Sequence, residues 1–196
     1  MHLAFDIFQG IGIAAAAGIR PFLPSLAVGA LAAGDVQIDF KGTDFAFLQG
    51  VPFLLAMVLG AILLALAERR LSERQLERGP FAIVLGVIAL TVGALLFAGS
   101  LARGDYLDWP GFIGGVLCAA VGIAATRPLL ARVRARLDQE AAAALPVFAE
   151  AVALLGAVLS VLLPPFGLVV LGLLIWLLIA GRRRGTEKYA GLRILR

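Results

Sequence analysis

The sequence predicts an all-α integral membrane protein with six transmembrane helices, and three observations carry that prediction. Of its 196 residues, 61% are apolar or aromatic and 15% are charged, against roughly 45–50% and about 25% in a soluble domain. The apolar residues gather in runs near the ~20 residues a helix needs to cross a ~30 Å hydrocarbon core with its backbone groups paired. The lysines and arginines, 17 in all, cluster between alternate runs.

Each span follows from the residues in it. The first run, Phe5 to Ala33, is long for one straight crossing, and Arg20, Pro21 and Pro24 interrupt it, so a broken first helix is expected. The second span is Phe45 to Ala67, the third Pro80 to Ala102 and the fourth Pro110 to Leu130. One apolar stretch then runs from Ala141 to Ala180, too long for a single crossing, and Pro164 and Pro165 divide it. Two consecutive prolines lack amide donors and fix φ, which predicts a tight helical hairpin between a fifth span, Ala141 to Leu163, and a sixth, Pro165 to Ala180. The whole chain reads as a single transmembrane domain, with residues 181–196 as a basic tail.

Cytoplasmic loops are enriched in lysine and arginine. Arg69, Arg70, Arg74 and Arg78 follow the second span, Arg127, Arg132, Arg134 and Arg136 the fourth, and Arg182, Arg183, Arg184, Lys188, Arg193 and Arg196 the sixth. All three groups share a face if six spans leave both termini cytoplasmic. The opposite face, with Asp35, Asp39, Asp44, Asp105 and Asp108 against Lys41 and Arg103, is acidic. A re-entrant first segment is the competing reading; it leaves five spans and an outer N-terminus. A cleaved signal peptide is not expected, because Met1 to Asp6 has no basic residue and the apolar run is too long.

The two halves, residues 1–102 and 110–180, echo one another. Gly12-Ile13-Ala14-Ala15 with Arg20-Pro21 parallels Gly122-Ile123-Ala124-Ala125 with Arg127-Pro128, and Phe47-Leu48-Gln49 parallels Phe148-Ala149-Glu150. The shared order fits a three-plus-three inverted repeat, as in many secondary transporters, as well as it fits chance identity in a chain this rich in small apolar residues.

Arg20 is the most informative residue. An arginine inside a span costs roughly 2.5–3.5 kcal/mol on insertion scales, so it must face protein, water or a partner. Pro21 and Pro24 release backbone carbonyls beside it, and a guanidinium there suits an anion or phosphate as well as it suits a structural ion pair. Glu150 is the acidic residue deep in a later span. Counting residues from the cytoplasmic ends gives depths of about 22 Å for Arg20 and about 14 Å for Glu150, a gap two long side chains only just bridge. Gln49 is expected at the equivalent depth from the other face. Arg182, Arg183 and Arg184 fit anionic lipid headgroups or a stop-transfer signal equally. Gly111 and Gly115 suit close helix approach, within the bundle or at a homodimer seam.

Several activities are not expected. One histidine (His2) and one cysteine (Cys118) offer no metal pair or nucleophile–base couple, and there is no P-loop or dinucleotide fingerprint. An enzyme, a cofactor, a metal and nucleic acid are therefore not anticipated. The basic residues lie beside spans rather than forming a nucleic-acid face.

The glycine-rich first span leading into Gly18-Ile19-Arg20-Pro21-Phe22-Leu23-Pro24, the Phe45 to Leu48 opening of span two and the leucine-rich hairpin ending in Arg182 to Arg184 resemble the bacterial membrane-protein family known as domain of unknown function 4126. The Glu68 to Gly79 connection departs from its pattern. The resemblance implies that Arg20 and its prolines matter and supplies no activity. The leading expectation is a transporter or lipid-translocating protein of a bacterial cytoplasmic membrane. It would take an anionic or phosphate-bearing substrate at a midplane site made by Arg20, Pro21, Pro24, Gln49 and Glu150. A non-transporting scaffold is the alternative, and a channel comes third.

Overall fold

The computed structural model describes residues 2–70 and 79–190. These form seven α-helices: α1 (His2–Ile19), α2 (Phe22–Ala33), α3 (Val51–Arg70), α4 (Pro80–Ala102), α5 (Trp109–Arg134), α6 (Gln139–Leu162) and α7 (Phe166–Ala190), with a 3₁₀ turn at Ala46–Gln49 before α3. No strand occurs among the described residues. Four segments, Val51–Arg70, Pro80–Ala102, Trp109–Arg134 and Glu140–Leu162, are long and apolar enough to cross a bilayer, and the chain is a multi-pass membrane protein on that ground. The flank of α3 shows what surrounds it: Leu55, Leu59, Ile62, Leu63 and Leu66 all point outward, exposed.

The expected first span is two helices, not one. α1 ends at Arg20-Pro21 and α2 returns beside it, so that Gln37, just beyond α2, places its carbonyl 3.4 Å from Nε2 of Gln9 near the start of α1. An 18-residue helix rises about 27 Å and a 12-residue one about 18 Å. Chain direction then alternates through to α7. The start of α1 meets the end of α4 through Asp6 and Arg103, and the end of α7 meets the end of α5 through Gly181 and Arg132. The two ends of the described chain therefore lie at opposite ends of the bundle, and the expectation that both share one face is corrected by the additional reversal.

That reversal also undoes the inverted repeat. Gly10 of α1 and Gly114 of α5 both lie on Phe97 of α4, and further along both helices Gly18 packs on Ala119. Hence α1 and α5 run side by side in the same direction, and the Gly-Ile-Ala-Ala echo joins parallel helices rather than inverted ones. The Pro164-Pro165 hairpin is present: α6 stops at Leu162, Gly167 donates to the Pro164 carbonyl at 3.0 Å, and α7 departs from there.

α1 is the central post. Ile13 to Ala17 are fully buried against α4, α5, α6 and α7, which the run of four alanines permits because small side chains let backbones approach in lipid. At Gly18 any Cβ collides with the Ala119 carbonyl, and at Gly167 with the Phe8 carbonyl. Gly111 and Gly115 lie on Ala98 and Ala94 of α4 in the same manner. Of the two uses open to these glycines, close approach within the bundle is the one these contacts display.

Candidate functional site

Arg20 occupies the turn between α1 and α2. Its amide still closes α1 by donating to the Ala16 carbonyl at 3.1 Å. Pro21 and Pro24 have no amide to give, so the helix stops and restarts. Both prolines are fully buried, and Arg20 itself is only 7% exposed. Nη1 of Arg20 donates to Oε1 of Glu68 at 2.5 Å, and its Nε lies 3.5 Å from Oε2 of Glu150. Glu68 stands in the last turn of α3 and Glu150 in the middle of α6, so one guanidinium ties the α1–α2 turn to two further helices. The Leu23 amide, in the first turn of α2, also faces the Glu150 carboxylate, a placement the positive end of a helix favours.

Beside this triad a cavity of about 320 Å³ opens between α1, α3, α4 and α5. Arg20, Glu68, Arg127 and Arg134 line it, with Leu64, Phe81 and Leu85 as apolar walls. Arg127 donates from Nη2 to the Ala82 carbonyl at 2.9 Å and pairs with no carboxylate among the described residues. Guanidinium groups of Arg20, Arg127 and Arg134 and the Glu68 carboxylate thus share one lining, and guanidinium groups are the side chains that suit an anion.

A second polar cluster sits at the far end of α1. Nη2 of Arg103 donates to Oδ1 of buried Asp6 at 2.5 Å, and its Nη1 donates to the Gln37 carbonyl at 2.6 Å. Gln9 donates to the Val161 carbonyl at 3.1 Å, and its own Oε1 is buried with no partner. Gln37 adopts φ 60, a left-handed conformation that costs a non-glycine residue about 1–2 kcal/mol, and its carbonyl meets both Arg103 and Gln9.

Of the residues expected in one site, the structure gathers Arg20, Pro21, Pro24 and Glu150 and excludes Gln49. Oε1 of Gln49 accepts from the Phe40 amide at 2.9 Å at the opposite end of the bundle. It precedes α3 while Glu68 ends it, and a helix of 20 residues separates them by about 30 Å. Nor is Arg20 at a midplane: it shares its level with the last turn of α3, where Arg69 and Arg70 follow Glu68. Arg182 lies in the last turns of α7, and the side chains of Arg183 and Arg184 are outside the described residues, as are Arg74, Arg78, Arg193 and Arg196. Glu68, Arg127 and Arg134 are the members that sequence reasoning did not assign. The Arg127-Pro128 echo of Arg20-Pro21 was a signal for Arg127 alone. No three His, Cys, Asp or Glu side chains among the described residues form a metal-ligand set.

Residues 7–184 match the family described as a domain of unknown function, DUF4126. No curated protein and no solved structure matches the chain.

Proposed function

The chain belongs to that family of unknown function, and from its own geometry we propose that it is a transporter for an anionic, phosphate-bearing substrate, bound at the cavity beside Arg20 and exchanged for a carboxylate on that guanidinium. The observation that carries the reading is the mismatch at Arg20: one buried cation held by two carboxylates from different helices, next to a cavity that Arg127 also lines.

Charge sets the mechanism. With Glu68 and Glu150 both ionised, an entering anion meets a guanidinium already neutralised and a net negative triad. A proton on one carboxylate removes that repulsion and frees a face of Arg20 for the anion, while Arg127 supplies a second cation. Binding one proton with one anionic charge keeps the burial cost low, since an unpaired charge out of water is expensive. The basic end then faces the cytoplasm by the positive-inside rule, and the membrane is the bacterial cytoplasmic one.

The test is uptake into proteoliposomes, with inorganic phosphate and a fluorescent phosphatidylglycerol as separate probes. Arg20→Ala abolishes transport of the accepted probe while the protein still inserts, and Glu68→Gln, which removes a carboxylate competing for Arg20, tightens binding of that probe. Unchanged transport in Arg20→Ala overturns the reading. A scaffold, in which the triad is only a tie between helices, predicts the opposite pattern: no transport of either probe by the wild type, and loss of folding in Arg20→Ala.

A further inference from the structure

Resting on the anion site proposed above, we infer that its substrate is an anionic lipid, whose phosphate-bearing head sits among Arg20, Arg127 and Arg134 and whose acyl chain lies in a second cavity behind Thr126. That second cavity holds about 390 Å³ between α5, α6 and α7. It shares Ile19, Thr126 and Leu130 with the first, so a basic chamber and an apolar one adjoin at these residues. Such a pair fits a molecule with a charged head and a hydrocarbon chain better than it fits a free anion.

Three features commit the apolar chamber to an acyl chain. Thr126 is the one polar side chain in its lining, and the Thr126 hydroxyl is spent on the Gly122 carbonyl at 2.6 Å, so nothing there pairs a polar ligand. The chamber opens sideways past Phe148, Val152, Leu155 and Leu173, all exposed on the flank of the bundle. Along α6 it runs from Leu145 to Leu159, about 21 Å, more than the ~15 Å of hydrocarbon in one leaflet. Gly156 supports the same conclusion. A Cβ there meets nothing nearer than Val170 at 3.8 Å, so helix packing does not require that glycine, and its missing side chain is space in the slot. Because the surrounding tails are as apolar as the lining, the slot supplies shape rather than a hydrophobic drive, and selection falls to the charges around the head.

The experiment uses the full chain in vesicles containing phosphatidylglycerol with a photoactivatable group in its acyl chain, and maps the labelled residues by mass spectrometry. Label is expected on α5, α6 and α7 around the slot at about tenfold the level on the outward residues Leu59 and Leu63 of α3. Gly156→Phe and Arg127→Gln should each cut slot labelling by about tenfold, and Gly156→Leu, a smaller filler, by less; all are compared at matched thermal stability. A neutral diacylglycerol with the same chain should label the slot weakly. Equal labelling of slot and α3, or slot labelling that neither Gly156→Phe nor Arg127→Gln changes, overturns the inference. Arg20-dependent uptake of inorganic phosphate with an unlabelled slot overturns the lipid assignment and leaves the anion site standing. Slot labelling that obeys these variants without Arg20-dependent transport supports the lipid site and overturns the transport reading.

Discussion

Each end of α1 carries an arginine paired with an acid, Arg20 buried and Arg103 part-exposed over buried Asp6, and the two are held differently. At the acidic end Arg103 has one carboxylate, Asp6, and spends its other donor on the Gln37 carbonyl. At the basic end Arg20 has two carboxylates, Glu68 and Glu150, at unequal distances of 2.5 and 3.5 Å, and faces a cavity. A matched pair with its spare donor occupied is a lock. A cation with one carboxylate too many, beside open space and a further arginine, is a place where partners can be exchanged. That contrast is the physical reason for placing function at the Arg20 end and stability at the Asp6 end.

The largest expected effect is on the basic end. Arg20→Ala removes transport altogether and leaves two part-buried carboxylates uncompensated, costing at most about 3–5 kcal/mol, the range for a fully buried pair; proteoliposome uptake and a denaturation midpoint measure the two consequences separately. Arg103→Ala breaks the lock, with a stability loss of the same order, and the comparison sharpens through a double-mutant cycle with Asp6→Ala. A coupling of about 1–3 kcal/mol is expected between Asp6 and Arg103, whereas the Arg20–Glu150 coupling is smaller because Glu68 remains. Gly167→Ala probes neither charge cluster but the packing of the α6–α7 hairpin on α1. A methyl there meets the Phe8 carbonyl, and overpacking of this kind costs about 1–3 kcal/mol, read as a lowered unfolding temperature.

The smallest effect lies in the exposed acidic connection. The Lys41 amide donates to Oδ1 of Asp39 at 2.8 Å and lowers its carboxyl below the ordinary 3.8. A depressed carboxylate stabilises the folded state above its unfolded pKa and loses that contribution as pH falls through the folded value. Asp39→Asn should therefore lower stability slightly at neutral pH, and wild type and variant should converge as pH falls below about 3.8. Lys41, raised by its hydrogen bond with Asp35, is too exposed for either partner to matter measurably.

Much of this molecule was legible in its residues, and what was not has identifiable causes. Pro164-Pro165 announced the α6–α7 hairpin because two missing donors cannot be hidden inside a helix. The break at Arg20-Pro21 was legible for the same reason, and burial of Arg20 followed from the cost of its charge. Hydropathy could not see that the chain turns back there. The turn is itself buried and apolar on both sides, so Phe5 to Ala33 scores as one run, and charge counting assumes each run crosses once. That single reversal moved the start of α1 to the acidic end, placed the Gly-Ile-Ala-Ala echo on parallel helices and brought Arg20 level with Glu68. Gln49 was misplaced because depth was counted along a span that begins at Phe45, while α3 begins at Val51 after a 3₁₀ turn. The Asp6–Arg103 pair joins residues 97 apart, a contact that no local pattern encodes.

The claim at the centre of this account is that Arg20 releases a carboxylate to take an anion. Its most direct test is phosphatidylglycerol binding to the reconstituted protein, compared among the wild type, Glu68→Gln and Arg20→Ala. Glu68→Gln should bind about tenfold more tightly than the wild type, the equivalent of about 1.4 kcal/mol, and Arg20→Ala should lose binding. Equal affinity in the wild type and Glu68→Gln, or binding that Arg20→Ala leaves intact, would contradict it.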